Sequence, residues 1–379
     1  MKKVSLIATI LLFVLILIYA LIPPKIPISP AGQPFPNNYN IKSKKYIVLG
    51  FAPYWNMKKI STSSLNSLTH FAYFALHLQG NGDIYTHVNK NEEDPGYTNY
   101  QRLLANNIYK NLVLTFMQSD EDALVSLLNS PTARTNAITN ILKTTSESGA
   151  IGINIDFEPV GPNTDSLRQN FTLFIKELHL RAKSNSEKPL LITISIYPSA
   201  ASKTRIWDLS ALSPLTDYFV VMTYDYTMPK SERAGPNSPL RDFTGSFEHS
   251  IIKNINQITQ FVPSYKLLLG IPLYGYEWDT IDTSKYSNTL SRGSTASLER
   301  IETMRLDNNL EILWDRNTLT PYGISTESGK HTQIYFENDV SIRLKLDFVS
   351  SSNLGGIALW ALGYDNNVPW LWPTIDLLH

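Results

Sequence analysis

Gly152-Ile153-Asn154-Ile155-Asp156-Phe157-Glu158 alternates apolar and polar residues with a period of two. As a strand it splits into two faces, with Ile153, Ile155 and Phe157 on one and Asn154, Asp156 and Glu158 on the other. The apolar face must be buried. The opposite face carries two carboxylates ~6–7 Å apart, and carboxylates are costly to bury unless they are paired or used. An edge strand with its polar face in water would also satisfy the pattern. The stretch becomes decisive only in the context of its neighbours.

Those neighbours repeat one unit. From Tyr46 onward, eight short apolar runs read as strands: Tyr46–Pro53, Leu68–Leu76, Asn111–Met117, Ile151–Phe157, Leu190–Tyr197, Asp217–Tyr224, Lys266–Leu273 and Leu354–Trp360. They are rich in Val, Ile, Leu, Phe and Tyr, as buried parallel strands are. Helical patterns fall between several of them. Asp122–Leu128 and Thr135–Thr145 precede the fourth, Asp165–Ser184 the fifth, Ser246–Phe261 the seventh and Ser341–Ser350 the eighth. In Asp165–Ser184, Leu167, Phe171, Phe174, Ile175 and Leu178 recur at helical spacing. The expected fold is α/β, a (β/α)8 TIM barrel. The gap before the eighth strand is too long for one helix. It predicts a small inserted α+β subdomain between strands 7 and 8, at about residues 276–335, with strand character at Glu311–Trp314.

Such barrels carry chemistry at the C-terminal ends of their strands. Ile153, Ile155 and Phe157 then face the surrounding helices. Asn154, Asp156 and Glu158 face the barrel interior and rise toward its active mouth.

Composition narrows the alternatives. The chain has 379 residues, a formal net charge of zero and no cysteine. Zero net charge without a long basic run argues against a nucleic-acid partner. The absence of cysteine excludes disulfides and thiolate chemistry. The seven histidines show no metal-binding spacing, and no glycine-rich phosphate loop occurs, so no metal and no cofactor are expected. At the N-terminus, Lys2 and Lys3 precede a charge-free run from Val4 to Pro24, long enough to cross ~30 Å of hydrocarbon. Ile18-Tyr19-Ala20 matches a signal-cleavage site poorly. Residues 1–24 therefore read as a single-pass membrane anchor, or a signal peptide if cleaved. Residues 25–44 read as a proline-rich spacer, and residues 45–379 as the barrel, on the extracytoplasmic face. A monomer is expected.

Four motifs in order carry a family resemblance. Ile151–Glu158 resembles the D-x-x-D-x-D-x-E strand of glycoside hydrolase family 18. Met222-Thr223-Tyr224-Asp225 resembles its M-x-Y-D, Gly270–Gly275 its seventh strand, and Gly355–Trp360 its eighth. The wording of the first motif is especially similar to bacterial members linked to cell walls and spore cortex. Departures are visible: Ile151 and Asn154 replace two of the aspartates, and Leu112–Phe116 lacks the S-x-G-G of the third strand. They weigh against chitin more than against the chemistry.

The resemblance implies a glycosidase acting on a β-linked N-acetylglucosamine glycan, peptidoglycan or a chitin-like polymer, through substrate-assisted retaining catalysis. It makes Glu158 the general acid and base, Asp156 the partner of the substrate acetamide N–H, and Tyr224 the donor to the acetamide oxygen. It places Asp225, Trp360, Asn154, Met222 and Tyr274 at the substrate. Tyr54 and Trp55, ending the first strand, could line the sugar groove or pack at its rim. Two other readings compete. One is a lectin-like carbohydrate-binding protein on the same barrel. The other is a two-carboxylate glycosidase pairing Glu158 with Glu277.

Overall fold

The computed structural model describes residues 46–106, 109, 111–161, 163–184, 189–326 and 329–378. The expected anchor at residues 1–24 and spacer at 25–44 lie outside the described residues. Among the described residues, no helix is long and apolar enough to cross a membrane.

Eight parallel strands close into a barrel. In chain order they are β1 (Ile47–Pro53), β2 (His70–His77), β3 (Leu112–Gln118), β4 (Gly152–Phe157), β5 (Leu191–Ile196), β6 (Tyr218–Val221), β7 (Leu267–Pro272) and β8 (Gly356–Trp360). Each pairs with its sequence neighbours, and β1 closes the ring against β8, with Ile47 opposite Gly356 and Gly50 opposite Leu359. The TIM barrel read from the sequence is the one observed.

Alternation within each strand sorts side chains into two cores. Outward residues such as Ile153, Ile155 and Phe157 join the large core under the helices. Phe157 packs its ring 5.9 Å from Phe171 and 5.5 Å from Phe174 of helix Asp165–Ala182. That helix starts at Thr164, whose hydroxyl accepts from the Leu167 N–H, an N-cap worth about 1 kcal/mol. Inward residues, among them Leu49, Val113, Val220, Leu268 and Ala358, fill the barrel with a second, smaller core.

Two elements fall well short of their expected spans. Strand β6 stops at Val221 rather than Tyr224, because the chain tightens: Thr223 N–H donates to Val221 and Tyr224 N–H to Met222. The helix expected over Ser246–Phe261 spans only Ile251–Ile258. The residues before it belong to a loop tied by the Asp242 carboxylate, which accepts from the Thr244 and Phe247 N–H groups.

The insertion is a five-stranded antiparallel sheet, ordered Ser294–Ser297, Tyr274–Thr280, His331–Tyr335, Thr320–Ser325, Glu311–Asp315. Helix Leu298–Leu306 accompanies it. The sheet begins at Tyr274, directly after β7, so its first strand rises from the barrel mouth. Its aromatic core includes Tyr274, Tyr276, Trp278, Tyr322 and Tyr335.

Candidate active site

The mouth of the barrel holds a cleft of about 670 Å³. Asp156 and Glu158 reach it from successive inward positions at the end of β4. Glu158 stands one residue beyond the strand, yet its N–H still donates to the Gln118 carbonyl at 3.0 Å, so the backbone beneath it stays in the sheet. Asp156 is buried, and its Oδ1 has no hydrogen-bond partner among the described residues.

Three sequence-expected substrate contacts do not line the cleft. Asn154 is fully buried one layer below Asp156. Its Oδ1 accepts from the Thr193 hydroxyl at 2.8 Å and its Nδ2 donates to the Ser195 hydroxyl at 3.1 Å. It is a neutral, hydrogen-bonded floor. Tyr54 turns away, because the chain enters the 3-10 turn Tyr54–Lys59 right after β1, and its ring sits 6.5 Å from that of His77. Trp55, half exposed, takes the rim instead, with its ring 6.4 Å from Trp360. Tyr274 acts at one remove: its hydroxyl donates to Asp225.

The others converge. Asp156, Glu158, Met222, Tyr224, Asp225 and Trp360 all line the same cleft. Trp360 is braced by Phe74 at 4.5 Å and Phe51 at 6.0 Å between ring centroids, so its indole is a fixed platform. Asp225 has φ +61°, in the left-handed region, where non-glycine residues are uncommon and Asp is among those enriched. Its N–H donates to Asn237 Oδ1 at 2.8 Å. Glu277 lies elsewhere, bound by Arg300 at 3.1 Å and Ser294 at 3.0 Å. The paired-carboxylate reading with Glu158 therefore has no geometric basis.

Burial governs the acids. Desolvation pushes Asp156 well above the usual carboxylate range, and the Glu158 charge adds to this. Glu158 is also raised, chiefly by burial, while hydrogen bonds from Tyr197 and Asp156 pull it back. Asp225 is raised by burial against the two tyrosines that donate to it. Burial pushes the Tyr224 phenol up, with the nearby carboxylates adding, so it remains a proton-bearing donor. With its acids raised by burial, the cluster can present a proton donor, an acceptor and a flat apolar surface to one small group.

Sequence reasoning missed Tyr197, Lys203, Arg205 and Lys230, which also line the cleft. Tyr197 ends the apolar run at β5, but nothing in its local pattern marks it. The other three sit on loops that meet the site only when the barrel closes.

A family model described as "Glycosyl hydrolases family 18" matches residues 47–365. A Bacillus subtilis protein designated a sporulation-specific glycosylase is 28% identical, over 79% of this chain and 67% of its own. The cortical fragment-lytic enzyme of the same organism is 24% identical, over 83% of this chain and 69% of its own. The solved class V chitinase from Nicotiana tobaccum superposes with a TM-score of 0.76 at 18% identity, over 88% of this chain and 99% of that one.

Proposed function

The chain belongs to family 18 of the glycosyl hydrolases, and from that premise we propose that it is a retaining glycosidase for β-linked N-acetylglucosamine glycans, with Glu158, Asp156 and Tyr224 as its catalytic groups. One observation carries the reading: Asp156 and Glu158, one strand step apart, open into the cleft that Tyr224, Asp225 and Trp360 also line.

The geometry suits substrate-assisted chemistry. An N-acetylglucosamine ring stacks on Trp360, its 2-acetamido group directed at Asp156 and Tyr224. Glu158 gives its proton to the glycosidic oxygen while the acetamide oxygen attacks the anomeric carbon. Asp156 accepts from the acetamide N–H as that nitrogen becomes positive. Tyr224 donates to the acetamide oxygen and holds it on line. Glu158, now ionised, takes a proton from water, which opens the bicyclic intermediate with net retention.

The shared proton explains the timing. In the empty cleft, burial raises both Asp156 and Glu158, so the pair favours a proton shared between the two carboxyls. A substrate N–H facing Asp156 stabilises its charged form, and the proton passes to Glu158, where it is needed.

Two relatives named for sporulation and cortex support a bacterial cell-wall glycan as substrate. Lys2, Lys3 and the charge-free run Val4–Pro24 support export with the barrel held at the outer face of the membrane.

The test is incubation of the full chain with chitooligosaccharides and with purified peptidoglycan, followed by mass analysis of the products. Release of fragments ending in N-acetylglucosamine, abolished by Glu158→Gln, is expected. Sugar binding with no release from either substrate would replace the enzyme by a lectin.

A further inference from the structure

Resting on that reading, we propose that the cleft is specific for a glycan whose departing sugar carries a carboxylate, received by Lys203, Arg205 and Lys230. The two walls of the cleft differ in character. One is aromatic: Trp360 from β8, Phe51 from β1 and Phe74 from β2, with Trp55 at its rim. In the barrel order β8 and β1 are neighbours, and β5 and β6 lie across the ring. The far wall is cationic, with Lys203 and Arg205 from the loop after β5 and Lys230 from the loop after β6.

Among the described residues, none of the three cations forms an ion pair. The carboxylates lining the cleft are Asp156, Glu158 and Asp225, each at the centre of the chemistry. Lys203 and Lys230 are exposed and set the sign of this wall, but their flexible side chains do not fix a ligand's orientation. Arg205 is different because it is fixed. Its Nη1 donates to the Val160 and Gly161 carbonyls at 3.2 and 3.4 Å, and its guanidinium lies over the Tyr197 ring, 5.1 Å from the centroid. Tyr197 in turn bonds Glu158. The buried Arg205 Nε has no hydrogen-bond partner among the described residues. A pre-oriented guanidinium is suited to planar oxyanions.

Glu158 defines which part of the substrate these cations meet. It protonates the bridging oxygen, with the retained sugar on Trp360, so the wall beyond it faces the leaving group. A neutral N-acetylglucosamine there would leave three positive charges without a counter-charge. A hexosamine bearing a carboxylate, either directly on the ring or through an attached peptide, supplies one.

The experiment compares kcat/KM of the full chain on four substrates of equal length. These are a neutral chitooligosaccharide, a peptide-free peptidoglycan glycan bearing ring-linked carboxylates, the same glycan methyl-esterified, and the glycan with its peptides. The carboxylated glycan is expected to exceed both neutral substrates at least tenfold at low salt. The gap should narrow as ionic strength rises. The Lys203→Gln/Lys230→Gln double variant should lower the carboxylated-to-neutral ratio about tenfold, and Lys203→Arg should retain it. Preference only for the peptide-bearing glycan assigns the carboxylate to the peptide. Equal rates on free and esterified glycans, or a double variant with an unaltered ratio, overturns the proposal. Calorimetric binding to Glu158→Gln separates the two readings. No turnover of any substrate removes the glycosidase. Equal affinity for carboxylated and neutral glycans removes the cationic subsite.

Discussion

Tyr276 donates its hydroxyl to Oδ1 of Asp225 at 2.7 Å, and Tyr274 donates to the same oxygen. Both tyrosines come from the first strand of the inserted sheet, Tyr274–Thr280, while Asp225 follows β6. The insertion therefore reaches the cleft, where its two tyrosines counter the upward push of burial on the Asp225 carboxyl. Removing one donor by Tyr276→Phe raises the pKa of Asp225 further. If the ionised form positions the sugar, the acidic limb of the kcat/KM profile moves to higher pH. The rate at neutral pH should fall about tenfold, from a charged hydrogen bond worth about 1.5–3 kcal/mol, partly retained through Tyr274. An unchanged profile would show that Asp225 takes no part in the rate.

Asp156 should set activity against stability. Burial raises its folded pKa well above that of an ordinary aspartate. A raised carboxyl contributes stability below the unfolded pKa and loses it as pH rises through the folded pKa. At pH 7 that contribution has fallen, and Asp156→Asn has no such titration. The variant should be more stable than the parent at pH 7 in urea, with the advantage vanishing below about pH 4. Turnover should drop about 10²–10⁴-fold, the range for a lost proton-transfer partner. Lower stability at pH 7 would contradict the burial argument.

Asn154 keeps the row beneath the acids neutral. In Asn154→Asp, Thr193 can still donate to the new side chain, and Ser195 can turn its hydroxyl to donate as well. That withdraws Ser195 from Asp156, whose pKa its hydrogen bond lowers. The added charge and the lost donor act in the same direction, raising Asp156. The acidic limb of the pH–rate profile should shift upward, with about tenfold lower kcat at pH 5, read by steady-state assay. A profile identical to the parent's would mean that the floor and the acids are electrically independent.

The period-two pattern at residues 152–158 revealed the strand, its two faces and both acids, because in a closed barrel one face meets helices and the other meets the site. The spacing of Leu167, Phe171, Phe174, Ile175 and Leu178 gave the covering helix for the same reason. Tyr54 shows where local reading stops. A residue ending a strand follows the alternation only if the strand continues, and here a 3-10 turn hands the rim to Trp55. Asn154 lay on the right face at the wrong depth. Depth depends on how far each strand is staggered around the barrel, which one strand's sequence does not contain. Arg205 carried no signal at all, since its role arises from Val160, Gly161 and Tyr197, up to 45 positions away.

Gly270, on β7, makes room for Tyr224. A Cβ built there would sit 2.5 Å from the Val221 carbonyl oxygen and 3.0 Å from Cε1 of Tyr224. Neither neighbour can yield cheaply: Val221 is in the β6 backbone, and Tyr224 is held against the Tyr274 ring at 6.3 Å. Gly270→Ala must therefore part β6 from β7 locally or tilt the Tyr224 ring off the acetamide position. Overpacking of this kind costs about 1–3 kcal/mol, measurable as a lower urea midpoint. A displacement near 1 Å at a positioning group costs about 10²-fold in rate. The variant should therefore lose far more kcat than its stability loss explains, when assayed well below its melting transition. A folded variant with parental kcat would show that Tyr224 needs no fixed place, and its assignment as the acetamide donor would fall.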